Sequence, residues 1–212
     1  MKYKETRSLF LGKYQYKIAL ICSSATLFRG GDIDNAIMEL AKIDVKYPEH
    51  FSYWASRIKS TEDLEYVRSL CSDFKKITDY DLRVEQPIIN IYTNDIKSVK
   101  LFEKKYTDTI KFISKPSANG VLTSDTIIMN KMNFEYRITM GATKQEYSSF
   151  VEWAENNAKI KLTKSCTRDL NRGRSWGGTH FYVTGDNNLL MTKMHLGGTI
   201  SKVQRIIHQP EV

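Results

Sequence analysis

Two short loops carry the residue types best suited to hold an anion. Leu27-Phe28-Arg29-Gly30-Gly31 and Arg174-Ser175-Trp176-Gly177-Gly178 each place an arginine beside an aromatic residue and end in paired glycines. A guanidinium pairs with phosphate, an aromatic ring stacks on a base, and glycine lets the backbone approach a ligand closely. The pattern assigns phosphate pairing to Arg29 and Arg174, and stacking to Phe28 and Trp176. The first loop leads into a helix, whose N-terminus favours an anion. Asp32 and Asp34 occupy that helix start, however, and would repel one. Asp32-Ile33-Asp34 is read as capping acids rather than as a carboxylate pair for a metal ion.

A second constellation follows from strand parity. His180 to Thr184 and Leu189 to Leu196 read as a hairpin around Gly185-Asp186-Asn187-Asn188. In that register Phe181, Val183, Leu190, Met194 and Leu196 face the core. His180, Tyr182, Met191, Lys193 and His195 share the other face. With the outward residues Arg137, Lys159 and Lys161, this becomes a basic sheet surface bearing an aromatic ring. Such a surface suits single-stranded nucleic acid, with Lys161 and Lys193 on phosphates and Tyr182 on a base. The consensus of RNA-recognition motifs is absent. His180 and His195, with Lys193 nearby, also define a weaker third reading: metal-free acid–base cleavage of RNA, the lysine stabilising the phosphorane.

Lys164 to Arg174 is the densest arginine cluster. Lying between two strands, it reads as a loop that orders on nucleic acid or docks on an acidic protein surface. Arg168 and Arg172 are its phosphate-pairing candidates.

Other chemistries lack their signatures. There is no phosphate-binding P-loop, no G-x-S-x-G, no H-E-x-x-H and no dinucleotide fingerprint. Cys22, Cys71 and Cys166 are odd in number and far apart, which indicates neither a disulfide framework nor a zinc site. Cys71 has the spacing of a core residue. No metal or cofactor is called for. No apolar run approaches the roughly 20 residues needed to cross a bilayer. The segment Met1 to Arg7 is polar, without the apolar stretch of a secretory signal. A reducing, cytoplasmic setting is the expectation, the host cytoplasm if the source is viral.

Net charge is +8 over 212 residues, which fits an acidic partner and says nothing about fold. The charge is uneven. Met1 to Gly30 holds six Lys/Arg against Glu5, and Lys159 to Gly178 holds six against Asp169, a net of +5 in each. Asp32 to Asp95 holds thirteen acids and eight bases, a net of −5.

The elements that must position these residues divide into two series. The first has a strand at Tyr14–Cys22, helices at Asp32–Ile43 and Thr61–Ile77, strands at Leu82–Glu85 and Ile88–Thr93, a helix at Asp95–Tyr106 and a strand at Thr109–Ser114. Lys46 to Lys59 is aromatic and irregular. Lys115-Pro116-Ser117-Ala118-Asn119-Gly120 is the linker candidate. The second series has a half-buried strand from Phe134 to Met140, a capping box at Thr143-Lys144-Gln145-Glu146, a helix, a strand at Lys159–Leu162, the hairpin, and a final helix at Thr199–His208. The fold class expected is α+β. It has two ferredoxin-like (split β-α-β) sub-domains, residues 1–116 and 117–212, each a mostly antiparallel sheet with helices on one face. The final helix departs from that pattern, since it follows the last strand.

The leading functional reading is a nucleic-acid-binding accessory protein without catalytic activity, its partner RNA or single-stranded DNA. The alternative is a protein-interaction or self-associating subunit of a larger assembly of viral, replication or transcription type, with Trp54 and Trp153 as exposed contacts.

Overall fold

A computed structural model describes residues 2–43, 58, 60–116 and 122–208. The chain divides into two units, Met1–Ser117 and Ala118–Val212. Both are α+β, and the sheet of each is mostly antiparallel.

The first unit runs β1 (Tyr3–Thr6), β2 (Tyr16–Ile21), a 3₁₀ segment (Ala25–Gly31), α1 (Ile33–Ala41), α2 (Thr61–Phe74), β3 (Tyr80–Glu85), β4 (Ile88–Thr93), α3 (Ile96–Lys105) and β5 (Ile110–Pro116). The strand order is β1-β5-β2-β4-β3, with only β1 and β5 parallel. Residues two apart on a strand share a face. Ile18 and Leu20 of β2, Ile89 and Ile91 of β4 and Ile113 of β5 therefore meet Leu64, Leu70, Phe74 and Phe102 from the helices in one core. Each large side chain buried there contributes about 1.5–3 kcal/mol. The helix starts are fixed by side-chain caps. Asp32 accepts from the Asn35 N–H at 2.8 Å, Ser60 from Asp63 at 3.1 Å, and Asp95 from Lys97 and Ser98. The segment expected to be a loop after β2 is instead the 3₁₀ turn, with Ala25 to Phe28 buried. The irregular stretch with Trp54 lies, Ile58 apart, outside the described residues.

The second unit runs β6 (Thr126–Ile128), β7 (Tyr136–Met140), β8 (Ala142–Thr143), α4 (Ser148–Glu155), β9 (Ile160–Leu162), α5 (Lys164–Arg172), β10 (Ser175–Trp176), β11 (His180–Val183), α6 (Asp186–Leu196) and β12 (Ile200–Ile207). Its main sheet is ordered β6-β12-β7-β11-β9, again with one parallel pair, β6 and β12. β10 pairs with β8 in a separate two-stranded ribbon.

Four expectations are corrected here. The hairpin does not form: β11 is followed by helix α6. Leu, Met and Lys are good helix formers, Gly185 and Gly197 bound the segment, and Thr192 and Leu196 are buried four residues apart. The helix expected at Thr199–His208 is instead strand β12, Ile200–Ile207. Its apolar residues have helical spacing, but Ile200, Val203, Ile206 and Ile207 are β-branched, and β7 and β6 offer two ladders. Lys164–Arg172 is a helix rather than a loop. Thr163 caps it, Gly173 ends it in the left-handed conformation, and only Cys166 and Leu170 are buried. Two apolar positions in nine residues leave little pattern to read. The Thr143 capping box is also absent: Thr143 lies in β8 and accepts from the Gln145 N–H before α4 begins.

Candidate nucleic-acid interface

Ser175 and Trp176 pair with Thr143 and Ala142, and alternation along this short ribbon sends their side chains opposite ways. Ser175 points inward, donating to Asp169 at 3.1 Å and accepting from the Gly177 N–H at 3.0 Å. Trp176 therefore points out and is 88 % exposed. The turn behind it requires glycine. Gly177 has φ +85°, and a Cβ there would lie 3.0 Å from backbone atoms of Gly141 and Ala142. Gly178 donates to the Met140 carbonyl at 2.8 Å, fastening the loop to β7.

The Arg174 guanidinium carbon sits 5.6 Å from the centre of the Trp176 ring, within cation–π range. Ala142, Thr143, Lys144, Arg174, Ser175 and Trp176 line a mainly apolar cavity of about 270 Å³. Among the described residues neither Arg174 nor Lys144 has a carboxylate partner. A solvent-facing ring with two free cations beside it is suited to stack a base and pair its phosphates. Lys144 was missed from the sequence, because β8 was read as a helix cap.

Arg168 and Arg172 project from α5, the helix before this loop. Arg168 makes only a 3.5 Å contact to Asp169. Arg172 lies exposed in the last turn, where a cation also complements the helix dipole.

The helix-free face of the second sheet carries a further set. Lys161, Tyr182, Arg137 and Gln204 face one another across β9, β11, β7 and β12, with His180, Thr139 and Lys202 in the adjacent row. Lys202 was missed because its strand was read as a helix. Tyr182 is not available for stacking as assigned. It is 5 % exposed, packed with Ile127 and Ile206 beneath Met129, Met132 and Phe134. The 122–134 segment covers that end of the face.

The histidine pair is taken apart. His180 shares the helix-free face and packs edge-on against Tyr182. His195 lies on α6, stacked on Trp153 at 5.0 Å and against Phe150, which packs on the opposite face. Lys193 is likewise exposed on α6, not across from His180. The proposed acid–base site therefore has no geometry. Trp153 is half-buried. Burial, with repulsion from Arg137, holds the His180 imidazole below its ordinary pKa.

The other loop does not match its partner. Phe28 is fully buried, edge-on to Phe74 at 5.3 Å, so its ring cannot stack on a ligand. Arg29 is exposed beside Thr26, Leu27, Asn35 and Glu39. This loop follows β2, whereas Arg174–Gly178 precedes β11, which holds the place of β4 in its sheet, so the two are not topological equivalents. Asp32 is a cap and Asp34 pairs with Lys75 at 2.8 Å. Among the described residues no group of three or more His, Cys, Asp or Glu is placed to hold a metal ion. The three cysteines are free and buried, and burial pushes the thiols up to about 11 at Cys22 and Cys71 and about 12 at Cys166. Thiols so rarely ionised are poor nucleophiles.

No family model, curated protein or solved structure matches this chain. Among the described residues no helix is long and apolar enough to cross a membrane.

Proposed function

We propose that the chain binds single-stranded nucleic acid without catalysing a reaction on it, and that the Arg174–Trp176 loop is its principal contact. The observation that carries this reading is the exposed Trp176 ring with Arg174 against it and Lys144 beside the same cavity. Arg168 and Arg172 on α5 extend the cationic surface along the preceding helix. We read each unit as a ferredoxin-like split β-α-β arrangement. The strand orders β5-β2-β4-β3 and β12-β7-β11-β9 support that reading, as does a helix before each last strand. The fold hosts many unrelated functions, so the site carries the argument.

The test is a filter-binding titration with RNA and single-stranded DNA at two salt concentrations. Affinity falls with salt if phosphates are paired. Absence of binding at low salt, or binding indifferent to salt, removes the reading.

A second reading has its own observation. Leu190, Met191 and Met194 are exposed on α6, at spacings that put them on one side of the helix. An apolar stripe of this kind suits a protein partner within an assembly. Light scattering coupled to size-exclusion chromatography distinguishes the two: a stable oligomer that ignores oligonucleotides favours the second.

A further inference from the structure

The first unit's sheet also has a helix-free face, and two lysines of the basic Met1–Gly30 segment, Lys4 and Lys17, lie on it. Lys4, Ser114, Lys17, Tyr92 and Asp81 lie side by side across β1, β5, β2, β4 and β3. In the next row Phe112, Ala19, Asn90 and Arg83 do the same across β5, β2, β4 and β3. The Lys4 ammonium sits 3.8 Å from the centre of the Phe112 ring. The Lys17 ammonium sits 5.6 Å from the centres of both Phe112 and Tyr92.

Three features mark this surface as unfinished. Among the described residues neither Lys4 nor Lys17 has a carboxylate partner, and Glu85 is already paired with Arg83 at 3.1 Å. Burial lowers the Lys17 pKa and outweighs the pull of Glu85, with smaller repulsions from Arg83 and Lys4. Asn90 is 1 % exposed, and its amide nitrogen has no hydrogen-bond acceptor. Buried donors are normally satisfied, and one that is not lacks an acceptor that a ligand can bring.

We propose that this face is a second contact for single-stranded nucleic acid, with phosphates at Lys4 and Lys17, a base on Phe112, and the Asn90 amide donating to an oxygen of that nucleotide. The proposal rests on the nucleic-acid reading above but uses none of its residues. Cations already seated on an aromatic ring need move only a short way to exchange the ring for a phosphate and free it for a base. A base can use that ring surface as well as the charge, which a carboxylate on an acidic peptide cannot.

The experiment uses the full chain and a fluorescein-labelled 15-mer of uridine, read by anisotropy over a salt series. Three proteins are compared: wild type, a sheet variant (K4Q with K17Q) and a loop variant (R174Q with W176A). Losing two phosphate contacts lowers the slope of log affinity against log salt by about 1.4 for a single strand. The sheet variant is expected to show that change while keeping the wild-type circular dichroism spectrum. Ultraviolet crosslinking of wild type, followed by mass spectrometry, is expected to give a nucleotide adduct on the peptide containing Phe112. An unchanged slope in the sheet variant and no adduct there, while the loop variant still loses affinity, overturn this proposal alone. Failure of wild type to bind overturns the underlying reading as well. Poly-glutamate that removes the Phe112 adduct as effectively as unlabelled RNA, charge for charge, overturns it in favour of an acidic protein partner.

Discussion

Lys17 and Arg137 hold the same place in two different sheets. Each is the second residue of its strand, follows a tyrosine (Tyr16, Tyr136) and precedes a fully buried isoleucine (Ile18, Ile138). Each faces another tyrosine directly across the ladder, Tyr92 for Lys17 and Tyr182 for Arg137. That second tyrosine is in turn packed by a phenylalanine from the segment leading into β2 or β7: Phe10 lies 5.7 Å from Tyr92, and Phe134 lies 5.8 Å from Tyr182. With the edge strands β1 and β6 both parallel to the last strand of their unit, the two halves repeat one design.

The first prediction follows from that packing. Tyr92 and Tyr182 are both 5 % exposed. Replacing either by alanine removes a buried ring and is expected to cost about 3–5 kcal/mol, the range for large aromatic truncations. Tyrosine to phenylalanine keeps the ring and is expected to cost about 1 kcal/mol or less. Urea denaturation of the four single variants checks this. An alanine variant as stable as wild type at either position contradicts the packing described.

Trp176 gives the opposite pattern. Its ring is 88 % exposed, so Trp176→Ala is expected to change the denaturation midpoint little. Loss of base stacking, worth about 1–3 kcal/mol, is expected to weaken single-strand binding about 5- to 150-fold. Paired denaturation and anisotropy measurements separate the two effects. A variant that unfolds easily yet binds normally reverses the assignment.

How legible all this was from the sequence varied for physical reasons. Apart from β1, whose polar Tyr3–Thr6 shows no buried alternation, the first unit's helices and strands were read nearly in place, because Asp32, Ser60 and Asp95 announce helix starts and the apolar spacings are clear. The second unit misled where local and tertiary preferences conflict. Ile200, Val203 and Ile207 have helical spacing, yet the ladders with β6 and β7 decide the segment. At the candidate site Arg174 and Trp176 were visible as residue types beside glycines. Lys144 was not, since it comes near them only through the β8–β10 pairing. Phe28 and Trp176 looked alike in sequence. One lies in a buried 3₁₀ turn and the other on a two-residue ribbon, a difference of burial that spacing does not encode.

The glycines at the site make a graded test. Gly177 and Gly178 both have positive φ, at +85° and +86°, but only Gly177 faces backbone within 3.0 Å. Both alanine variants carry a conformational cost of about 1–3 kcal/mol. Gly177→Ala must in addition push β10 away from β8 and is expected to weaken binding as Trp176→Ala does. Gly178→Ala is expected to leave binding within about twofold of wild type, since this added strain is absent. Equal binding losses in the two variants would show that the Gly141–Ala142 contact does not position the loop.

His180 supplies a pH dependence. Its folded pKa is lowered by burial and by Arg137, so the unfolded chain binds its proton more readily. The stability that the neutral ring contributes is complete above its unfolded value of about 6.5, and it is lost as pH falls below that value. Stability of the second unit is therefore expected to drop as pH falls below about 6.5, and less so in His180→Gln. Proton–carbon NMR of the imidazole reads the titration directly. A midpoint at or above about 6.5 would contradict the shift.

Asp73 offers the sharpest test of the first unit. Its carboxylate is 1 % exposed and receives Lys105 at 2.5 Å, Lys76 at 2.8 Å and the Tyr106 hydroxyl at 2.7 Å. Burial alone would raise its pKa, but these three donors outweigh it and hold the group below the usual carboxylate value. The unfolded chain then binds the proton more readily, so the contribution is complete above about pH 4, the unfolded value, and is lost as pH falls towards the folded value. Both lysines are partly solvated, at 44 % and 62 % side-chain exposure. That screening discounts the 3–5 kcal/mol typical of a broken buried pair to about 2 kcal/mol for Asp73→Asn. The difference between wild type and the variant is expected to be full at pH 7 and to shrink below about pH 4. A difference that stays constant down to pH 2.5 would mean that the carboxylate's charge adds nothing to its packing.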